Sequence, residues 1–306
     1  MHMSTHQRRT PAASGLLYGL SAYMLWGLFP LFWPLLEPAN SLEITACRIV
    51  FCFAVIAALL ALRHELGGMR RLDRSTVLRL CAAGIAIALN WGVYIWGVNN
   101  GHVIETSLGY FINPLVTIGL GVVILHERLR AIQWIAVGLG VVAVAVLSFD
   151  YGRPPWIALV LACSFGTYGF IKKGVRASPP EGLLVEGAIT AVPALIVLAV
   201  LALTGSATFT GHAANPGHIL LLISAGPVTA LPLLLFAGAA TRLPLSTMGL
   251  LQYVTPVMQF AIGVLILREA TSFALLCGFA LVWIALAILG FDGVRHSRQA
   301  RVVAAV

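Results

Sequence analysis

The side chains of this sequence that could do chemistry are few, and nearly all lie in apolar surroundings. The stretch NWGVYIWGVNNGHVIETSLGYFINP, residues 90–114, carries four Asn, several aromatic rings and a proline, but no Lys or Arg. Thr106, Tyr110, Asn113 and Thr117 follow one another at intervals of 4, 3 and 4, which puts them on one face of a helix. Met248, Gln252, Thr255 and Gln259 repeat that spacing 142 residues later. Asn90, Tyr94 and Gly97 share a face of the segment before. Polar groups facing lipid would lack partners, so these faces are expected to point inward, to other helices or to a cavity. For a ligand in such a cavity the contacts would be Asn90, Tyr94, Tyr110, Asn113, Gln252 and Tyr253, with Trp91, Trp96 and Trp26 as apolar walls.

Three charged side chains sit in equally apolar company. Arg48 lies well inside its segment, where an Arg costs ~2.5–3.5 kcal/mol on insertion scales; it either binds an anionic group of a substrate or holds a structural ion pair. Glu43 is five residues away, about 140° around a helix, so the two are not a ready pair. Glu186 and Glu43 are the candidates for carrying a proton, with a structural partner as the other reading of Glu186. No Walker A loop, GxSxG elbow or Cys/His cluster occurs, and the HER at 126–128 lacks the second His of a zinc-protease helix. No enzyme activity, cofactor or metal is expected.

The elements that must position these residues follow from composition. Hydrophobic residues make up 59% and charged residues 10% of 306, with mean hydropathy +0.94, far from a soluble domain. Apolar segments near the ~20 residues that span a bilayer as a helix fall at about 15–36, 41–62, 76–98, 103–125, 132–149, 155–172, 182–203, 218–239, 245–267 and 272–291. The first is too long, and carries Trp26 and Pro30, to read as a cleaved signal. All five cysteines fall within these segments and read as packing residues.

The net charge of +8 invites a nucleic-acid partner, but its placement gives another reason for it. With the N-terminus inside, every Lys and Arg except Arg48, Arg153 and Arg268 falls in a cytoplasmic segment, a strong positive-inside bias. Both termini are then cytoplasmic. The expected partners are the lipid bilayer and a small-molecule substrate, not nucleic acid; the oligomeric state stays open.

Sliding the chain by 142 residues aligns its halves. Trp26-Gly27 meets Tyr168-Gly169, Pro114 meets Pro256, Gly121 meets Gly263 and Glu127 meets Glu269. The expected organisation is a tail (1–14), a five-span repeat (15–149), a second repeat (150–292) and a tail (293–306). Five is odd, so the repeats are inverted, an arrangement many secondary transporters use with the substrate site between the halves. Pro114 and Pro256 leave the carbonyls of Tyr110 and Gln252 without helical donors. Glu127 and Glu269 would lie on opposite membrane faces and orient short helix connections.

The passages LHERLRAIQWIAVGLGVVAV and LREATSFALLCGFALVWIAL resemble the EamA repeats of the drug/metabolite transporter superfamily. AYMLWGLFPLFW, LNWGVYIWGVNNGHVIETSLGYFINPLV, SFGTYGFIKK and AATRLPLSTMGLLQYVTP are similar to its RarD branch, over about residues 15–292. That resemblance implies an inner-membrane secondary transporter, an exporter of small metabolites or drugs, with a cavity between the repeats. It supplies no coupling residues. The full expectation is an all-α integral membrane protein of ten helices in two inverted five-helix repeats, working by alternating access and driven by protons. Spans 1–4 and 6–9 would line the cavity. A channel or an uptake permease for amphipathic solutes is the alternative.

Overall fold

The computed structural model describes residues 11–64, 72–126, 129–175, 177–210, 215–243, 247–248 and 251–303. Among them every regular element is a helix. In chain order these are α1 (Pro11–Gly27), α2 (Phe29–Phe32) running into a 3-10 turn (Trp33–Leu36), α3 (Ser41–Leu62), α4 (Arg74–Asn99), α5 (Val103–Leu125) and α6 (Ala131–Tyr151). Then come α7 (Trp156–Lys173), α8 (Pro179–Leu203), α9 (Pro216–Ala240), α10 (Val254–Ala261) with a π turn (Ile262–Ile266), and α11 (Phe273–Val303).

Seven of these helices are long and apolar enough to cross a membrane. The 22 residues of α3 span about 33 Å at 1.5 Å each, close to the hydrocarbon thickness. The expected first span is a bent pair, Ala13–Gly27 and Phe29–Leu36, at 42°. Pro30 and Pro34 explain the break: neither can donate to the carbonyl four residues back. The expected sixth and ninth spans are shorter apolar helices, Trp156–Lys172 and Val254–Ile266. Pro154 and Pro155 delay the start of the former. In the latter the chain turns at Gln252 and Tyr253, and the Leu267 amide reaches back five residues to the Ile262 carbonyl, 2.9 Å away. Residues 245–246 and 249–250 of that expected span lie outside the described residues, as does Glu127.

Short polar side chains mark the helix starts. Asn40 Oδ1 accepts from the Glu43 amide at 2.9 Å, and Asn215 Oδ1 from the His218 amide at 2.8 Å. Asp73, ahead of α4, accepts from the Ser75 and Thr76 amides and the Thr76 hydroxyl. The Thr76 bonds hold its carboxyl below the usual carboxylate range. The start of α5 is capped from a distance: Glu269 accepts from the Val103 amide at 2.6 Å and the Ile104 amide at 2.8 Å. A carboxylate there also meets the positive end of the helix dipole.

The principal packing joins the first half of the chain to the second. α1 packs on α9 and α10, α3 on α8 and α9, α4 on α7 and α8, α5 on α7 and α10, and α6 on α11. At the α3–α9 crossing, a Cβ on Gly226 would lie 2.5 Å from the Phe51 backbone, so only glycine permits that approach. One core, around Trp33, Ile44, Tyr94, Ile95, Leu161 and Leu222, fills the space between α3, α4, α7 and α9. A second, around Leu108, Phe111, Leu147 and Phe279, ties α5, α6 and α11. The outer face is apolar, with Leu62, Val123, Phe149, Leu203 and Phe273 among its most exposed side chains. Such a surface suits lipid and not water.

Candidate functional site

Arg48 sits two turns into α3, 3% exposed. Its guanidinium carbon lies 4.1 Å from the Trp91 ring centroid, 4.9 Å from that of Trp33 and 5.4 Å from that of Phe29. Three elements build this box: α3 supplies the cation, α4 supplies Trp91, and the bent segment after α1 supplies Phe29 and Trp33. The proline break is what turns Phe29 and Trp33 towards α3. Desolvated cation–π contacts contribute about 2 kcal/mol or more, yet they engage ring faces and leave N–H groups unused. Nε and Nη1 of Arg48, and Nε1 of Trp33, are buried without an acceptor among the described residues. No ion pair forms at Arg48 among them.

Next to the box lies a chain of amides and phenols. Asn90, 1% exposed, donates to the Leu161 carbonyl and to Ser164 Oγ, both at 3.0 Å, and accepts from the Tyr110 hydroxyl at 3.0 Å. It therefore pins α4, α5 and α7 together. The Tyr94 and Tyr110 rings meet edge to face, with centroids 5.8 Å apart. Gln259 Nε2 donates to the Tyr94 hydroxyl oxygen at 2.9 Å and to the Trp26 carbonyl at 3.1 Å. That carbonyl is the one Pro30 leaves without a helical donor, so the second half of the chain repairs the break in the first. Gln259 Oε1 and Asn113 Oδ1 remain buried without a donor among the described residues. A site that has buried donors and acceptors to spare is one that can hydrogen-bond something further.

Of the residues singled out from the sequence, Arg48, Asn90, Trp91, Tyr94 and Tyr110 come together. Asn113 lies on the same helix as Tyr110 and faces Gly166 of α7. Tyr253 goes elsewhere: its ring stacks on Phe111, at 6.5 Å and 15°, within the second core. Gln252 stays half-buried in the turn before α10, and Gln259 carries the amide to Tyr94 instead. Gln259 was visible in the sequence only as part of a stripe; Trp33 carried no signal there beyond its apolar surroundings.

The acidic side chains differ in their partners. Glu186 accepts from Lys172 Nζ at 2.6 Å and the Tyr168 hydroxyl at 3.3 Å, an ion pair between α7 and α8. Glu105 forms another with Arg153, at 2.9 Å, and accepts from the Ile157 amide. Glu43 is fully buried and, among the described residues, forms no ion pair. Its Oε1 accepts from the Thr208 amide at 2.8 Å and the Thr208 hydroxyl at 3.0 Å. Thr208 Oγ1 in turn lies 2.7 Å from His218 Nε2, and Glu43 Oε2 has no partner among the described residues. Thr208 and His218 gave no sign in the sequence, being isolated residues on a loop and at a helix start. All five cysteines are free.

Residues 13–149 match the EamA-like transporter family. A protein named RarD from Streptomyces exfoliatus is 54% identical over 292 residues, covering 94% of this chain and 91% of its own length. An uncharacterized transporter of Pseudomonas aeruginosa is 41% identical over 287 residues, covering 93% of this chain and 96% of the relative. A solved crystal structure superposes with a TM-score of 0.57 at 18% identity, over 90% of this chain and 97% of the other. That last likeness is one of fold.

Proposed function

The chain belongs to the RarD branch of the EamA-like transporter family and is a multi-pass bacterial membrane protein; from that premise we propose that it exports small metabolites or drugs by alternating access. The two moving bodies are residues 15–149 and 150–292, two inverted five-helix repeats with short tails at 1–14 and 293–306. Both termini face the cytoplasm, following the basic residues, and the membrane is the inner one.

The observation that carries this reading is the packing pattern. Shifting by 142 residues takes α1 to α7, α3 to α8, α4 to α9, α5 to α10 and α6 to α11; Arg74 and Pro216, which open α4 and α9, are 142 apart, as are Ala131 and Phe273. Under that exchange α1–α9 becomes α7–α4, α1–α10 becomes α7–α5, and α3–α9 becomes α8–α4. The pairs α3–α8, α5–α10 and α6–α11 exchange with themselves. Each of these pairs maps onto another or onto itself, as a two-fold relation requires. His126 and Arg268, again 142 apart, both take left-handed conformations with φ 53°. The group around Arg48, Asn90, Tyr94, Tyr110 and Gln259 draws on both halves, so rocking one against the other would open it to either side.

In this reading Arg48, Asn90, Trp91, Tyr94, Tyr110 and Asn113 contact the solute, with Gln259 joining them; Gln252 and Tyr253 contribute as the ninth segment moves. A proton drives export, and Glu43 is its carrier in preference to Glu186, whose carboxylate is held by Lys172. Counterflow in proteoliposomes tests the proposal. A carrier preloaded with unlabelled solute accelerates entry of labelled solute; flux without acceleration is that of a pore and would overturn alternating access. Flux indifferent to an imposed pH gradient would remove the coupling.

A further inference from the structure

We infer that the aromatic box around Arg48 is the subsite for the carboxylate of a small organic monoanion, an inference that rests on the transporter reading and specifies its substrate class. The guanidinium is 97% buried in an apolar part of the bundle. A charge in such a place needs a counter-charge or acceptors. Trp91, Trp33 and Phe29 lie within 4.1–5.4 Å of its carbon and offer ring faces, which take up positive charge but accept none of its N–H bonds in-plane. Among the described residues Nε and Nη1 stay unpaired, and Trp33, whose ring centroid lies 4.9 Å from the guanidinium carbon, has an unpaired Nε1 of its own. Three buried donors and no facing acceptor describe a place for an acceptor-rich group.

Among the described residues no acid pairs with Arg48, and the buried ones have other contacts. Glu43 Oε1 is held by Thr208, Glu186 by Lys172, Glu105 by Arg153, and Glu269 by the start of α5. Among the described residues no second cation stands with Arg48, so one negative charge balances the site; a carboxylate meets that requirement and a dianionic phosphate exceeds it. Guanidinium geometry matches a planar carboxylate. The surrounding rings, with Tyr94 and Tyr110 adjoining, favour an apolar or aromatic body behind the carboxylate.

The test uses the full-length protein in detergent and two probes of the same shape, phenylpropionate and its neutral amide, with binding measured by calorimetry. The wild type is expected to bind the acid at least about tenfold more tightly than the amide, a difference of about 1.4 kcal/mol. In Arg48→Met that ratio should fall to within about twofold, and in Arg48→Lys it should lie between. Equal affinities in the wild type, no binding of either probe, or an undiminished ratio in Arg48→Met would each overturn the subsite. If Arg48→Met does not fold, Arg48→Lys and the wild-type ratio decide. Counterflow with the same probes separates the two layers. Selective acid binding without counterflow sinks the transporter reading and leaves the subsite; equal counterflow of acid and amide sinks the subsite and leaves the transporter.

Discussion

Two buried acids, Glu43 and Glu186, differ in what surrounds them, and that difference assigns them separate tasks. Glu186 is neutralised by Lys172, itself a quarter exposed, and bridges α7 to α8. Removing it should lower stability, by less than the ~3–5 kcal/mol of a fully buried pair because Lys172 reaches water. Glu43 forms no ion pair among the described residues. The titratable groups near it are His218, through Thr208, and the buried Cys47 one turn along α3. Glu43→Gln is expected to abolish stimulation of counterflow by a pH gradient, while Glu186→Gln lowers the melting midpoint and keeps the stimulation. The reverse pattern would exchange their roles. Asn90 belongs to the same scale: Asn90→Ala strands the Tyr110 hydroxyl and the Ser164 pair. At ~0.6 kcal/mol per interhelical bond in a bilayer, its three bonds predict a loss of about 2 kcal/mol in an unfolding titration. The polar stripe made Asn90, Tyr94 and Tyr110 legible in the sequence, because periodicity reports which face a residue occupies. It could not say which neighbouring helix that face meets, so the pairing of Gln259 with Tyr94, and of Glu43 with Thr208, became visible only in three dimensions.

At the scale of elements, the long helices were readable because each is a run of apolar residues, most of them opened by a polar cap such as Asn40, Asp73 or Asn215. The first and sixth segments depart from this through prolines. Pro30 and Pro34 bend the first segment, and the carbonyl so freed is met by Gln259 from α10, a compensation no local pattern encodes. The close crossing of α3 and α9 depends on Gly226. Gly226→Ala should destabilise by ~1–3 kcal/mol, since the added methyl meets backbone and cannot be turned aside. Gly119→Ala, with nothing near its Cβ position, should change the unfolding midpoint little. Glu269 offers a second check. The sequence marked it as orienting its own connection, whereas its carboxylate caps the start of α5. Glu269→Ala is expected to speed hydrogen exchange at Val103 and Ile104 about fivefold, in line with the ~1 kcal/mol of a lost cap. Unchanged exchange there would show that the cap contributes nothing.

For the molecule as a whole, the account depends on two halves of opposite orientation closing on a shared polar and aromatic centre. In the sequence the proposed 142-residue repeat rests on Pro114 and Pro256 and on Gly121 and Gly263, residue types that shape the backbone. The offset alone does not say whether the proposed halves pack on each other; the helix contacts join the first half of the chain to the second, as that proposal requires. The direct test is sidedness. In a background without the five native cysteines, His126→Cys and Arg268→Cys are each exposed to a membrane-impermeant maleimide in intact cells and in inverted vesicles. Opposite orientation predicts His126→Cys labelled only in inverted vesicles and Arg268→Cys only in intact cells. Labelling of both from the same side would contradict the inverted repeat, and with it the exporter built on it.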